Sequence, residues 1–398
     1  MSYTTAEVSF LVDNANTIDA IAPTISLAKK DAIHTASTLK QHFGDHARAV
    51  HELLTARASA HHHNKLPSHW LMCTDSSQQA TPMAVAALRA HRIHTTMGTG
   101  TTAHDVTCSI GTEIAALTHA GIPTIGSDLD PARIAMAHYN LNHTPQQTPH
   151  QAPHQLAIAD ALTTTSTADI IIADPARRNG GRRITSPTDL IPPLPELINR
   201  HHNRALAIKC APGLDFNDWE GLVSITSVDG GVKEACLYTP HLSDNLTREA
   251  NIIKPWGQDT FTDRDPDDCG VSAPGRYLID PDGAVVRAGL VRAFAHRYGL
   301  SQLDERIAYL TGQEIPAGYS GFEILDVANP KKVKAALAAH NIGSVEILLR
   351  GIDGDPDELR KKYKPKGKNP GAVVLTRIGS QGVALICGPR QHRERTSA

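Results

Sequence analysis

At 398 residues and 42.8 kDa the chain exceeds one ordinary domain, and 40% hydrophobic with 20% charged residues describes a soluble globular protein. No apolar run approaches the roughly 18–20 residues that cross a bilayer, and six cysteines, at 73, 108, 210, 236, 269 and 387, lack the paired spacing of a disulfide scaffold or a cysteine zinc site. The formal net charge of -2 hides an asymmetry, because residues 331–398 carry 14 Lys+Arg against 6 Asp+Glu while residues 1–330 carry 25 against 35.

In chain order, residues 1–97 read as a helical region. "TPMAVAALRAHRI" sets Pro82 at a first turn and then repeats apolar positions at helical spacing. The opening "MSYTTAEVSF" lacks the basic start and apolar core of a signal peptide, so a cytoplasmic protein with reduced thiols is expected. Histidine is abundant, including "HHH" at 61–63, but adjacent histidines cannot converge on one ion from a helix, and no metal is expected.

From 98 to 265 short apolar runs alternate with helices. "HDVTCSIG" is a strand and tight turn, "TEIAALTHAG" a helix closed by Gly121, "IPTIGSDLD" a second strand, and "PARIAMAHYNLN" a second helix opened by Pro131. "HTPQQTPHQAPH" is too rich in Pro, Gln and His to pack and reads as a surface insertion. "QLAIAD", "ADIIIAD" and "RALAIKCAPG" supply three more strands. Strands separated by helices predict an α/β fold with a parallel sheet covered on both faces. "GLVSITSVDG" and "VKEACLYTP" form an antiparallel pair turned at Asp229-Gly230-Gly231. Residues 266–317 read as a connecting segment containing a further helix, and 318–398 as a small α+β unit.

Open α/β sheets bind ligands beyond the carboxyl ends of their strands. There the first strand delivers Asp105, Thr107, Ser109 and Gly111, whose small side chains let a ligand approach the backbone. The second ends in Asp128 and Asp130, an acid placed to accept from ribose hydroxyls, and the third in Asp160 and Ala161, placed beside an adenine amino group. G-x-G-x-x-G and the P-loop are both absent, so S-adenosylmethionine, which has no pyrophosphate, fits better than a dinucleotide.

"DVTCSIGTE", "GSDLDPARIAMAHYN", "LAIADA" and "IIIADPARR" resemble the successive motifs of class I S-adenosylmethionine-dependent methyltransferases, above all a bacterial group with a THUMP-like domain that is distantly similar to RNA cap guanine-N2 methyltransferases. "QQATPMAVAALRAHRI" resembles that group's T-P-E helix opening, and "RYLIDPDGAVVRAGLV" and "VEILLRGIDGDPDELRKKYK...GAVVLTRIG" are similar to its later segments. The resemblance implies a Rossmann-like sheet and a cofactor set of Thr81, Asp105, Thr107, Ser109, Gly111, Asp128, Leu129, Asp160 and Ala161. The chain departs from the pattern at Ser109, where glycine is usual, at Thr112-Glu113, where Gly-Asp is usual, and at Met83, which replaces the glutamate of T-P-E.

Amino-group methyltransferases place a D/N-P-P-Y/F/W motif at the end of the fourth strand. Asp174 and Pro175 take its first two positions, while Ala176 and Arg177 stand where a second proline and an aromatic ring would be. The Asp174 carboxylate and Pro175 carbonyl can accept hydrogen bonds from an exocyclic amine, so that transfer needs alignment more than a strong base. Arg177, Arg178, Arg182 and Arg183 read either as phosphate or nucleotide contacts or as a solvated loop, with Lys209 as a further phosphate contact and Cys210 as core packing. In the tail, Lys331 and Lys334 share a helical face, and Arg360, Lys361, Lys362, Lys364, Lys366 and Lys368 surround Tyr363, a residue able to stack on a base. The THUMP-like resemblance implies structured RNA such as tRNA or rRNA as partner, bound mainly through phosphate. The leading expectation is N-methylation of an exocyclic amino group in structured RNA. A methyltransferase of protein or small molecules, and a non-catalytic cofactor- or RNA-binding protein, stay open as alternatives.

Overall fold

The structure, a computed structural model, describes residues 3–144, 152–176, 178–179, 182–183 and 186–395. Most of the Pro/Gln/His-rich insertion therefore lies outside the described residues. The chain forms two compact units, Met1–Val223 with Glu234–Asn245, and Ser224–Lys233 with Leu246–Ala398.

The first unit opens with α1 (Thr5–Asp13), α2 (Ala15–Ile21), α3 (Ala32–Phe43), α4 (Ala47–His62), α5 (Thr74–Gln79) and α6 (Met83–Met97). A capping box starts the series: the Thr4 hydroxyl accepts from the Glu7 amide at 3.2 Å, and the Glu7 carboxylate accepts from the Thr4 amide at 2.9 Å. Pro82 precedes α6 and Gly98, at φ +79°, ends it. His61, His62 and His63 are all exposed.

Next come β1 (Ala103–Asp105), α7 (Thr112–His119), β2 (Thr124–Asp128), α8 (Pro131–His143), β3 (His154–Ile158) and β4 (Ile170–Ala173). The two-residue strands β5 (Arg178–Asn179) and β6 (Arg182–Arg183) pair antiparallel, followed by α9 (Leu194–His201) and β7 (Ala205–Cys210). β8 (Leu222–Val228) belongs mostly to the second unit, and β9 (Gly231–Tyr238) mostly to the first. The first unit's strand order is β9-β7-β4-β1-β2-β3. β1–β4 and β7 run parallel, and β9 enters antiparallel beside β7. Strand order reverses between β1 and β4, so the loops after these two strands face each other across the switch point.

The helical region shares one core with this sheet. Leu11, Ile18, Leu53, Trp70 and Leu71 pack in the same cluster as Ile110 and Ile114 of the first loop and α7, and as Met136 and Tyr139 of α8. The helical region therefore buries its apolar stripes against α7, α8 and the loop after β1.

In the second unit β8 turns through Asp229 and Gly230, at φ +50° and +80°, the left-handed values a two-residue hairpin needs. β10 (Arg248–Lys254) lies beside β8 and pairs antiparallel with β11 (Gly257–Thr262). After them follow β12 (Tyr277–Ile279), α10 (Gly283–Ala288), α11 (Val291–Arg297), β13 (Ser301–Asp304), β14 (Ile307–Gly312), β15 (Ser320–Ala328), α12 (Val333–Ala339), β16 (Ile342–Arg350), α13 (Pro356–Tyr363), β17 (Asn369–Ile378) and β18 (Gln381–His392). Seven of these strands form a sheet in the order β13-β14-β12-β15-β18-β17-β16. Residues 277–312 thus contribute three strands to the same sheet as 318–398, and the stretch read as a connector is folded within it. "RYLIDP" looked like part of a connector because a three-residue strand carries too little periodicity to stand out.

Both faces of that sheet are covered. α12 and α13 bury Val333, Leu337 and Tyr363 against Val373, Leu375 and Ile386. On the other face Leu278, Tyr309, Phe322, Val374 and Leu385 cluster together. Tyr363 is 5% exposed, which corrects its reading as a base-stacking ring: its neighbours on the helix face water, while the tyrosine is the residue that anchors the helix.

Candidate active site

β1 delivers Asp105, 3% exposed, to the centre of the first unit's carboxyl edge. Its Oδ1 accepts from the Thr107 amide at 3.1 Å, and the Thr107 hydroxyl accepts from the Asp174 amide at 2.7 Å. One hydroxyl thereby fixes the loop after β1 to the end of β4. Ser109 follows at φ +47°, and its amide donates to Asp128 Oδ2 at 3.0 Å. The other oxygen of Asp128 accepts from the Asp130 amide at 3.0 Å, while Asp130 itself caps α8 through the Ala132 amide at 2.8 Å. Gly111, at φ +91°, begins α7, and a Cβ there would lie 3.3 Å from Leu141 Cγ and 3.4 Å from Ala137 Cβ. Conformation and packing both call for glycine at this point.

Ser109 occupies the left-handed region where side chains other than glycine, asparagine or aspartate are disfavoured. Ser109→Gly is expected to raise stability by about 0.5–1 kcal/mol in urea unfolding, the strain relief being partly offset by the greater freedom of glycine in the unfolded chain. A net loss of stability would show that the serine hydroxyl contributes more than the backbone strain costs.

Beyond β2 and β3 the other residues expected around a cofactor are spread along the edge. Asp128 and Ile158 are register partners, and Leu129 and Ile158 are 66% and 62% exposed. Asp160 is exposed and accepts from the Leu162 amide at 2.9 Å, whereas Ala161 is buried and its carbonyl accepts from His201 Nε2 at 2.8 Å. Thr81, buried ahead of α6, lies beside the Glu113 carboxylate.

Beneath this edge runs a buried chain of charges. Arg89, 2% exposed, donates from Nε to Glu113 Oε2 at 3.0 Å and from Nη2 to Glu234 Oε1 at 2.6 Å. Lys209 Nζ lies 3.4 Å from Glu113 Oε1 and 2.8 Å from Asp174 Oδ2. Lys209 is 5% exposed, so its reading as a surface phosphate contact is corrected: the ammonium is committed to two carboxylates. Burial works against the charge of Glu113, yet Arg89 and Lys209 draw its pKa down to about 2. Burial likewise disfavours the Lys209 ammonium, but Asp174 and Glu113 hold its pKa above the usual lysine value. For Asp105, burial first and then the Glu113 charge outweigh the nearby Lys209 ammonium and push the pKa up to about 7.

That value has a sign. Asp105 binds a proton more tightly in the folded chain than in the unfolded one, where its pKa is near 3.8. Its contribution to stability is therefore complete below about pH 4 and is lost as pH rises through about 7, amounting to roughly 4 kcal/mol at most. Asp105→Asn should remove this slope between pH 4 and 7, as read by urea midpoints against wild type. An unchanged slope would assign the titration to another group.

From the sequence Glu113 is marked only as a departure from the resembled pattern, and Arg89 and Glu234 are not singled out. The signal was present: in α6 the buried positions are Val85, Ala86, Arg89, Ala90 and Ile93, so an arginine sits on the apolar stripe. A guanidinium in that place needs buried acids.

At the end of β4, Pro175 is buried and Ala176 exchanges backbone hydrogen bonds with Ile191 at 2.7 and 3.3 Å. Arg177 lies outside the described residues. Arg178, Arg182 and Arg183 are described through their backbone pairing in β5 and β6. Cys210 is buried in β7, as a packing residue is. In the second unit Lys361, Lys362 and Lys364 are exposed around the buried Tyr363, and Arg360 pairs with Asp357 at 2.5 Å. Among the described residues no group of three or more His, Cys, Asp or Glu is disposed to hold a metal, and no helix is long and apolar enough to cross a membrane. A cleft of about 570 Å³ opens at the opposite ends of β4 and β7, bordered by Thr164, Asp169, Arg200, His201 and Arg204, and is lined by none of the strand-end acids described above.

The sequence is 40% identical over 369 residues to proteins of Mycobacterium tuberculosis strains CDC 1551 and H37Rv, each described as an uncharacterised S-adenosylmethionine-dependent methyltransferase; the match spans 88% of this chain and 99% of theirs. Residues 319–389 match the family described as THUMP domain-like. The fold is similar to the crystal structure of a methyltransferase candidate from Porphyromonas gingivalis W83, with a TM-score of 0.66 at 18% identity over 97% of this chain and 99% of that one.

Proposed function

The chain belongs to the S-adenosylmethionine-dependent methyltransferases, and from that premise we propose that it N-methylates an exocyclic amino group of a base in structured RNA, with Asp174 and Pro175 as the residues that hold the amine. S-adenosylmethionine, when bound, supplies a methyl group activated on a sulfonium. Thr81, Asp105, Thr107, Ser109, Gly111, Asp128, Leu129, Asp160 and Ala161 are assigned to hold it. Their chemistry fits: Asp128 has both oxygens fixed by backbone amides beside the uncovered Leu129 and Ile158, which suits a ribose diol next to a flat base. The acidic edge suits a cation.

One observation carries the assignment of the acceptor site: the Asp174 amide is tied to Thr107, in the loop that also holds Asp105. The last residue of the β4 edge is thereby registered to the cofactor loop within one hydrogen bond, the accuracy that methyl transfer between two bound groups needs. Asp174 and the Pro175 carbonyl accept the amine N–H bonds and aim its lone pair. The proton released after transfer leaves through Asp174 or water. Lys209 Nζ lies 2.8 Å from Asp174 Oδ2 and fixes the carboxylate at that oxygen. Arg177, Arg178, Arg182 and Arg183 are assigned to the phosphates or base of the substrate, and Lys361, Lys362 and Lys364 to RNA phosphates.

The test is incubation with methyl-labelled S-adenosylmethionine and total RNA from a strain lacking the gene, followed by digestion and identification of the labelled nucleoside. Label in an N-methylated nucleoside is expected; label in protein or small molecules alone would overturn the reading. Reversing two exposed charges, Lys361→Glu with Lys362→Glu, is expected to weaken RNA binding about 10- to 100-fold at low salt and to lower the slope of log K against log salt by about 2. An unchanged slope would remove the tail from the RNA surface.

A further inference from the structure

The second unit contains a carboxylate built unlike the others. Asp259 of β11 is 8% exposed, and its Oδ2 accepts from two phenols, Tyr298 at 2.5 Å and Tyr319 at 2.6 Å. Those rings belong to a packed aromatic group: Tyr298 and Tyr319 lie 5.3 Å apart, and Phe294 contacts both, at 4.8 and 5.0 Å. Trp256 stands at the outer side, edge-on to Tyr319 at 6.1 Å, with its indole Nε1 donating to the Gly318 carbonyl at 3.2 Å. Gly318, at φ +87°, leaves the indole its space, since a Cβ there would come within 2.7 Å of the ring.

Oδ1 of Asp259 is turned the other way and accepts from Arg395 Nη1 at 3.0 Å. The Arg395 guanidinium lies over the Trp256 ring, 4.4 Å from its centroid. Arg393 continues the backbone pairing with Gly318 and Tyr319, at 2.7 and 3.0 Å, so the chain is held up to that residue. Arg395 is beyond it, and its side chain is 41% exposed against 9% for Asp259. The acceptor is thus fixed from inside by two phenols, independently of the arginine that meets it from outside. A preorganised carboxylate oxygen beside an open indole face is a receptor for a planar cation that can stack and donate together.

We propose that Trp256 and Asp259, held by Tyr298 and Tyr319, form a guanidinium-binding site whose resident ligand is the chain's own Arg395. The ligand class is the arginine side chain. Tethering gives Arg395 an effective concentration in the millimolar range, so a free arginine must outcompete it. This site lies in the second unit and is independent of the reading of the methyl-transfer site.

The test uses the full chain carrying Arg395→Ala, with N-acetyl-arginine amide as probe. The reporter is the Trp256 indole N–H resonance, one of three in this chain and assigned by its loss in Trp256→Phe. Progressive shifts with a Kd on the order of 1 mM are expected for the variant, and about tenfold weaker binding for wild type, in which Arg395 competes at an effective concentration on the order of 10 mM. N-acetyl-lysine amide should bind several-fold less well, and the uncharged N-acetyl-citrulline amide should leave the resonance in place. A resonance that stays still up to about 100 mM arginine amide, or that moves equally in wild type or with citrulline amide, would overturn the proposal.

Discussion

Replacing Arg89 by alanine is expected to lower stability by about 3–5 kcal/mol at pH 8, a large part of what holds an ordinary domain folded. The arginine neutralises Glu113 and Glu234 where water does not reach, through charged hydrogen bonds of 3.0 and 2.6 Å. Without it, two buried carboxylates would share the single ammonium of Lys209, which Asp174 already engages. The variant escapes part of this cost by protonating an acid, so its deficit should shrink as pH falls. In wild type Arg89 and Lys209 hold Glu113 at about 2, so the same acid stays charged down to that range. Urea unfolding at pH 5 and pH 8 reads both effects. A further variant pairing Arg89→Met with Glu234→Gln should recover part of the loss, because one orphaned charge is removed with its partner. A deficit below about 1 kcal/mol at both pH values would mean that water compensates these acids.

This charge chain also marks where sequence reading stopped. The strands and the helices between them were legible because a parallel sheet writes them as apolar runs separated by 3.6-residue periodicity. Asp160 and Asp174 were legible because each follows directly on such a run, and Asp105 and Asp128 through the resembled motifs "DVTCSIGTE" and "GSDLDPARIAMAHYN". Lys209 was legible as a strand-end cation, but its direction was not: "LAIKCAPG" does not say whether the ammonium faces water or Glu113. Arg89 and Glu234 come together across 145 positions of chain, and nothing local to either one names the other. The departure at Glu113, where the resembled pattern has aspartate, gains a physical account here. The longer side chain reaches Arg89 and Lys209 together. Likewise the connector reading of 266–317 failed because β13, β14 and β12 pair with one another and β12 with β15, pairings that such short strands do not announce in their own pattern.

Asp174→Asn and Asp174→Ala separate two things the Asp174 carboxylate is proposed to do. If it only orients the amine, asparagine keeps a carbonyl oxygen in nearly the same place and should retain a measurable fraction of transfer. Alanine keeps none. If the carboxylate also receives the proton, asparagine should be as slow as alanine, with a loss of about 10²–10⁴-fold in single-turnover transfer. We expect the second pattern, since an amine carrying a new methyl group is a cation until it loses that proton. Cofactor affinity should change by no more than about threefold in either variant, because the backbone amide of residue 174, not its side chain, is what joins Thr107. Glu113, 3.4 Å from Lys209 in wild type, remains as a partner for the ammonium in both variants, which limits the structural cost. Equal losses of transfer and of cofactor binding would place Asp174 in the cofactor site and leave the acceptor amine without its assigned partner.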